Sequence, residues 1–157
     1  MKIVGFGVFV FFFLFINHFN VSAQSINTSQ MGLRLGGFSG IEFRHITSHN
    51  IGLRGNLLSN YHLDGTIISG MVEKHIPVKE GFVFYLGGGL FASGWHDRFY
   101  DKNDHYWDAS IGLQGVVGID YYFEGIPINL GADLTPRFTY ADHPLPWDAA
   151  LTIRYIF

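Results

Sequence analysis

The feature of this sequence that most constrains its fold is a regular alternation of apolar and polar residues over short segments. The final segment shows it most clearly, because nearly every second residue from Trp147 to Phe157 is apolar. The positions between them carry polar or small residues, namely Asp148, Ala150, Thr152 and Arg154. A period of two residues is the period of a β-strand whose two faces meet different surroundings. The segment therefore predicts a strand with one apolar face.

The same alternation recurs in seven earlier segments, so the sequence predicts about eight strands. The predicted strands lie at 31–35, 41–44, 51–57, 66–76, 82–93, 113–124, 126–139 and 147–157. The predicted connections are short at 47–50, 77–80 and 124–125 and longer at 59–64, 96–108 and 141–146, while the first one, at 37–39, is short. An even number of strands, with short turns at one end and longer loops at the other, is typical of outer-membrane barrels.

Composition agrees with a membrane barrel better than with a soluble domain. Aromatic residues reach 17 % and charged residues only 15 %, whereas ordinary soluble proteins carry about 25 % charged residues. After residue 23, no run of roughly 18 apolar residues offers a transmembrane helix. The net charge of −3 argues against a nucleic-acid-binding surface, and the chain has no cysteine for a disulfide. We therefore predict an all-β fold, an up-and-down antiparallel transmembrane β-barrel.

The first 23 residues predict an export signal rather than a strand. Lys2 supplies a positive charge, the segment 3–16 is largely apolar, and Val21-Ser22-Ala23 offers small or slim residues before a cleavage site. The apolar segment is short for a membrane span, although an uncleaved N-terminal anchor is the alternative. We expect a signal peptide at 1–23, cleaved after Ala23, followed by one barrel domain at 24–157.

One face of the predicted strands collects charged residues and glycines. The charged residues are Arg34, Glu42, Arg44, Arg54, Glu73, Asp120, Asp133, Arg137 and Arg154. Because glycine leaves room and a buried charge needs a partner, this face suits the inside of a narrow barrel, with the apolar face toward lipid. A secreted, lipocalin-like carrier is the alternative, since its apolar face would surround a ligand and its polar face would meet water.

Aromatic residues are concentrated at the ends of the predicted strands. Trp95, Trp107 and Trp147 lie at the ends that face the longer loops. At the other ends lie four further aromatic residues: Tyr121, Phe123, Tyr155 and Phe157. Two aromatic girdles are what the two membrane–water interfaces select in a transmembrane barrel.

Several segments resemble those of a known family. These are Arg34-Leu35-Gly36 with Ser39-Gly40-Ile41, Gly70 to Pro77 (GMVEKHIP), Tyr85 to Gly89 (YLGGG) and Leu151 to Phe157 (LTIRYIF). They resemble small outer-membrane β-barrel proteins of the OmpX and OmpA-transmembrane type. The resemblance implies an eight-stranded barrel in contact with outer-membrane lipids. It also implies that the barrel-assembly machinery recognises the last strand, which ends at Phe157, and it implies no particular extracellular partner.

No motif in the sequence specifies an enzyme, a cofactor or a metal site. Histidines and aspartates occur in the predicted loops, at His96, Asp97, Asp101, Asp104, His105, Asp108, Asp142 and His143, without the spacing of a zinc or calcium motif. Gly87-Gly88-Gly89 lacks the Gly-Lys-Ser/Thr that completes a phosphate-binding loop. A lipid hydrolase or acyl transferase would need a nucleophile motif, which neither Ser93 nor Ser110 has. We therefore predict no catalytic, cofactor-binding or metal-binding residues.

The predicted function follows from the width of the barrel. Eight strands enclose an interior just wide enough for side chains to fill it. Arginines and carboxylates on the inner face are therefore expected to form a closed, ion-paired interior, which favours a structural or surface-interaction role. A narrow channel for small solutes is the alternative.

Overall fold

The structure, a computed structural model, describes residues 28–60, 65–96, 107–139 and 147–157, without the side chains at 95–96 and 107–108. The strands are β1 (Thr28–Gly36), β2 (Phe38–Ile46), β3 (Ile51–Asn60), β4 (Gly65–Lys79), β5 (Phe82–His96), β6 (Trp107–Tyr122), β7 (Ile128–Thr135), β8 (Arg137–Thr139) and β9 (Asp148–Ile156). Among these described residues no helix is long and apolar enough to cross a membrane. The predicted signal peptide lies outside the described residues.

The strands form one closed antiparallel barrel. Each strand from β1 to β6 pairs with the next along the chain, β7 pairs with β6 and β9, and β1 pairs with β9 over Gln30–Gly36, which closes the ring. β7 and β8 both pair with β6 and together make the seventh barrel strand. Pro136 interrupts that strand because it has no N–H group, but its carbonyl still accepts a hydrogen bond from Gly115 N–H at 2.9 Å. The predicted eight-stranded up-and-down barrel is therefore confirmed.

Short turns join the strands at one end of the barrel, called here the turn end. They lie at 47–50, 80–81 and 123–127, and the opposite end, called the loop end, contains the short connection at Gly37. Glu80 and Gly81 both have positive φ angles, 48° and 85°, as a tight two-residue turn requires. The prediction of a turn at 77–80 was wrong, because β4 continues to Lys79 through a register shift between Pro77 and Lys79. Proline is tolerated at such irregular positions of a strand.

The two faces of the barrel wall differ in polarity over most of its height. The outer face is apolar, and its large side chains stay exposed, for example Ile111 (74 %), Leu151 (65 %) and Leu35 (62 %). The inner face carries the charged residues, and no arginine on it is more than 6 % exposed. This is the reverse of a water-soluble barrel, where the apolar side chains would fill the interior. The polarity required by a lipocalin-like carrier is therefore not the polarity observed.

Candidate functional site

The barrel interior contains one continuous set of paired charges, called here the luminal ion-pair network. Its members are five arginines and five carboxylates: Arg34, Arg44, Arg54, Arg137, Arg154, Glu42, Glu73, Asp120, Asp133 and Asp148. All nine residues predicted to line the interior belong to it. The tenth, Asp148, brings the formal charges of the network to balance. Balanced, fully buried charges of this kind are stable only when each has an opposite partner.

Arg44 and Arg54 lie at the centre of the network. They are directly opposite each other on β2 and β3, an arrangement that would be repulsive without shared counterions. Arg44 lies 2.5 Å from Asp120 and 3.1 Å from Glu73. Arg54 lies 2.7 Å from the other oxygen of Glu73 and 3.0 Å from Asp133. The shared Glu73 therefore holds the two guanidinium groups together.

Arg154 connects the last strand to the first half of the barrel. Its Nε donates to Glu42 on β2, and its Nη1 donates to Asp120 at 2.7 Å. The same Nη1 reaches Asn129 Oδ1 at 3.3 Å. A single side chain of β9 therefore contacts β2, β6 and β7 across the lumen.

Asp148 anchors the part of the network nearest the loop end. It accepts hydrogen bonds from Arg34 and Arg137, both at 3.3 Å, through the same carboxylate oxygen. Its other oxygen accepts the backbone N–H of Gly37 at 3.0 Å. The short β1–β2 connection is therefore tied to the network. The sequence indicated the polar face on which Asp148 lies, but we had not predicted it as a member of the network.

Tyr85 is a further residue that the sequence prediction missed, and it contacts the network without being one of its charged members. The guanidinium groups of Arg44 and Arg54 both lie over its ring, 4.6 and 5.0 Å from the centroid. Its hydroxyl donates to Asp133 at 3.0 Å. The alternation of β5 places Tyr85 on the polar face, which is the signal that could have identified it. An aromatic ring against two cations stabilises them through its negative face.

A neutral hydrogen-bonded group lies at the turn end of the lumen. Gln30 donates to the Tyr122 hydroxyl at 3.0 Å and accepts from the Asn129 amide at 3.0 Å. His75 also lies at this end, with its ring stacked on Tyr85 and its Nε2 3.1 Å from Glu73. These side chains separate the charged centre of the network from the turn end of the barrel.

Toward the loop end the interior becomes apolar. Four buried residues, called here the outer apolar cluster, pack together: Phe38, Leu58, Ile67 and Phe91. The Arg137 guanidinium lies over the Phe38 ring at 5.1 Å and links this cluster to the network. The sequence predicts none of these four in the interior, and it predicts Phe38 in the connection at 37–39, whereas the structure places Phe38 at the start of β2. The signal was present in adjacent apolar pairs such as Leu57-Leu58 and Ile67-Ile68, because alternation can turn only one residue of a pair outward.

Predicted girdle residues at the turn end lie on the outside of the barrel and contact one another. The Tyr121 ring lies 4.7 Å from Phe82 and 4.9 Å from Phe123, and the Tyr155 and Phe157 rings are 6.4 Å apart. These aromatic residues therefore form two groups at the turn end, one at β5 and β6 and the other at β9, with β7 between them.

Of the three tryptophans predicted for the girdle at the loop end, only Trp147 has a described side chain. Trp147 is 73 % exposed on the outer face. Trp107 begins β6 and Trp95 lies one residue before the end of β5, but both side chains lie outside the description.

No group of three metal-ligating side chains occurs within the described parts of the chain. The hydroxyl groups of Ser93 and Ser110 are hydrogen-bonded to each other at 2.8 Å. Of the histidines and aspartates considered as ligands, His96 ends β5 and Asp108 lies in β6, but their side chains are not described, and the others lie outside the described residues.

These features define a class of protein: a closed eight-stranded barrel with charges paired inside and an apolar surface outside. No known protein-family model matches the sequence, and no curated protein matches it. Solved structures do match. The N-terminal β-barrel domain of Pseudomonas aeruginosa OprF is similar with a TM-score of 0.71 at 14 % identity, covering 83 % of this chain and 98 % of that one.

Two further barrels share the fold. Neisserial surface protein A (NspA) matches with a TM-score of 0.57 at 12 % identity, covering 83 % of this chain and 95 % of its own. The Yersinia pestis outer membrane protein Ail, solved in a phospholipid bilayer nanodisc, matches with a TM-score of 0.51 at 12 % identity, covering 84 % and 100 %. The resemblance to small outer-membrane barrels is thereby confirmed at the level of the fold.

Proposed function

We propose that this chain is an integral outer-membrane β-barrel protein with a structural or surface-interaction role. The observation that carries the proposal is the reversed polarity of the barrel, with buried ion pairs inside and exposed apolar side chains outside. In water, each Å² of that outer surface would cost about 25 cal/mol, and soluble monomers rarely expose an apolar patch above a few hundred Å². Lipid removes this cost, because the outer face then contacts hydrocarbon.

The structural neighbours support the membrane location. Their names describe an outer membrane protein in a phospholipid bilayer, a surface protein and a β-barrel domain. By the same reasoning, the turns at 47–50, 80–81 and 123–127 face the periplasm, and the longer connections face outward, where an extracellular partner would bind. The proposal includes export by the segment 1–23, cleavage after Ala23, and recognition of the last strand ending at Phe157 by the barrel-assembly machinery.

A filled lumen favours the structural role over conduction. Toward the turn end, Arg44, Arg54 and Arg154 cross the lumen to carboxylates on opposite strands. Toward the loop end, the outer apolar cluster occupies the interior. A water-filled path would have to displace both layers. We therefore propose that the barrel is closed.

Fractionation tests the membrane assignment. We expect the protein in the outer-membrane fraction, released only by detergent, with the unboiled form migrating faster than the boiled form on a gel. Recovery from the soluble periplasmic fraction without detergent would instead support the carrier alternative and contradict the proposal.

Planar-bilayer recording tests whether the barrel conducts. We expect no steady current from the purified wild type. A defined current that disappears in Arg54→Gln or Asp133→Asn would show that the network lines a pore, and the channel alternative would then replace the structural role.

Lipid composition tests the absence of an enzymatic function. We propose that the protein is not an enzyme, so lipid A and phospholipid profiles should be the same with and without it. A shift in acylation that depends on Ser93 or Ser110 would contradict this.

A further inference from the structure

One charged residue interrupts the apolar outer surface. Among the described side chains on the outer faces of the strands, Lys74 of β4 is the only charged one between the two strand ends, and it is exposed. Its neighbours on the same face are Val72 and Ile76 along the strand, and Ile51 and Leu86 across it. No carboxylate of the described residues lies within ion-pair distance of it. A cation on the lipid-facing surface without a protein counterion needs another anion.

The depth of Lys74 identifies where that anion comes from. Lys74 pairs with Ile51, the first residue of β3. Its Nζ donates to the carbonyl of His49 in the adjacent 47–50 turn at 2.9 Å. The amine therefore lies at the turn end of the apolar belt, where the polar headgroups of the periplasmic leaflet begin. Its remaining donors stay available, because one bond uses only one of three N–H groups.

A second basic residue, His45 of β2, faces outward on the same side of the barrel but is held away from Lys74. His45 pairs with Leu53 and Lys74 pairs with Ile51, so the two residues differ by two positions along β3 as well as by two strand spacings, which alone amount to roughly 10 Å. The His45 ring lies 3.0 Å from Ser29 Oγ on β1, on the side of β2 away from β4. On the other side of β4, the adjoining strands β5 and β6 carry the aromatic rings of Phe82 and Tyr121, with Phe123 just after β6.

We propose that Lys74 binds the phosphate of an anionic phospholipid in the periplasmic leaflet. The turn end of the barrel then has two neighbouring sectors with different lipid contacts: a phosphate-binding sector at Lys74 on β4 and an aromatic sector on β5 and β6. A lipid phosphate is the anion that the surroundings supply at this depth. The inference rests on the proposed membrane location.

The test measures lipid retention on the purified, folded barrel. Native mass spectrometry with added phosphatidylglycerol gives an apparent dissociation constant for the first bound lipid, with phosphatidylcholine as reference. One lysine near a membrane surface contributes about 1 kcal/mol, so Lys74→Gln should weaken phosphatidylglycerol binding about five-fold. Lys74→Arg should retain most of the binding.

Lys79→Gln is the matched control. Lys79 lies at the end of β4 and already pairs with Glu80 at 3.1 Å, so removing its charge should leave lipid binding unchanged. Equal weakening by both variants would show a general electrostatic effect and overturn the site. The site would also be overturned if Lys74→Gln bound phosphatidylglycerol as tightly as the wild type. It would be overturned too if free inorganic phosphate competed as strongly as the lipid does. If the protein inserts into membranes but Lys74→Gln binds phosphatidylglycerol as tightly as the wild type, this inference alone is contradicted. If the protein is soluble, the proposed function is contradicted.

Discussion

The two ends of the lumen are filled in different ways by the same strands. Toward the turn end, β2 and β3 contribute Arg44 and Arg54, whose charges are matched by carboxylates on β4, β6 and β7. Toward the loop end, the same two strands contribute Phe38 and Leu58 to an apolar cluster. One half depends on exact matching of charge, and the other on filling space.

The difference predicts different responses to substitution. Removing one partner of a buried ion pair leaves the other charge unpaired, which costs more than the pair contributed. Removing atoms from an apolar cluster leaves a cavity whose cost depends on how far the neighbours can relax. The charged half should therefore be the less tolerant of single substitutions. Replacing both partners of an ion pair by apolar residues of similar volume should cost little.

Arg44→Met should have the largest effect. It leaves Glu73 and Asp120 without their shared guanidinium group, and we expect a loss of about 3–5 kcal/mol in the free energy of unfolding. Urea-induced unfolding of the protein in lipid vesicles measures this loss. Lys79→Met removes an exposed cation and should change stability by less than about 0.5 kcal/mol. If both variants lost the same free energy of unfolding, the charged interior would be no more sensitive to substitution than the surface.

Leu58→Ala probes the outer apolar cluster. We expect a loss of about 2–5 kcal/mol, since Leu58 is buried against Ile67 and Phe91. Its neighbour Leu57 faces outward and is 47 % exposed, so Leu57→Ala is a control with the same chemistry on the other face. The control should lose clearly less in the same unfolding assay. If Leu57→Ala proved the more damaging, the assignment of the two faces would be wrong.

Tyr85→Phe isolates one hydrogen bond of the charged half. The ring stays in contact with Arg44 and Arg54, but Asp133 loses the hydroxyl that donates to it at 3.0 Å. A hydrogen bond to a charged group contributes about 1.5–3 kcal/mol, and we expect a loss in that range. Tyr121→Phe, in the outer aromatic group at β5 and β6, serves as the reference for hydroxyl removal outside the lumen. If Tyr85→Phe lost no more free energy of unfolding than Tyr121→Phe, the other hydrogen-bond partners of Asp133 would be enough to stabilise its charge.

Gly70→Ala should have the smallest effect. Gly70 faces outward, and an added Cβ meets no atom within 4 Å. We expect stability within about 1 kcal/mol of wild type, on either side. Gly112→Ala is the contrast, because its Cβ would meet the Phe138 carbonyl oxygen and would also lie 2.7 Å from the Phe91 ring of the outer apolar cluster. A tolerated Gly112→Ala would show that this cluster is loosely packed and would weaken its comparison with the charged half.

Most of the barrel could be predicted from the sequence because period-two alternation is a local property. It indicated all eight strands, the closed fold and the face on which Arg34 and Arg154 lie. It could not reveal which charges meet, since pairing such as that of Arg54 with Asp133 depends on the register around the whole ring. Nor did it reveal the break at Pro136, because the flanking residues alternate as in an uninterrupted strand.

The outer apolar cluster was missed for a different physical reason. Alternation was used to assign apolar residues to lipid, so an apolar residue on the inner face had no place in the prediction. Ile67 and Phe91 sit directly beside outward apolar residues, and the doubled apolar positions carried that information. Their role becomes evident only once the strands are closed around a common interior.

The long reach of the luminal ion pairs has a consequence for how the chain folds. Asp133 bonds Arg34 and Arg54, which precede it by 99 and 79 residues, and Arg154 bonds Glu42 across 112 residues. The first four strands carry an excess of arginine and the later ones an excess of carboxylate. Neither half of the chain can therefore neutralise itself before the first and last strands meet. We expect insertion to be an all-or-none event, slowed by the search for partners so distant along the chain.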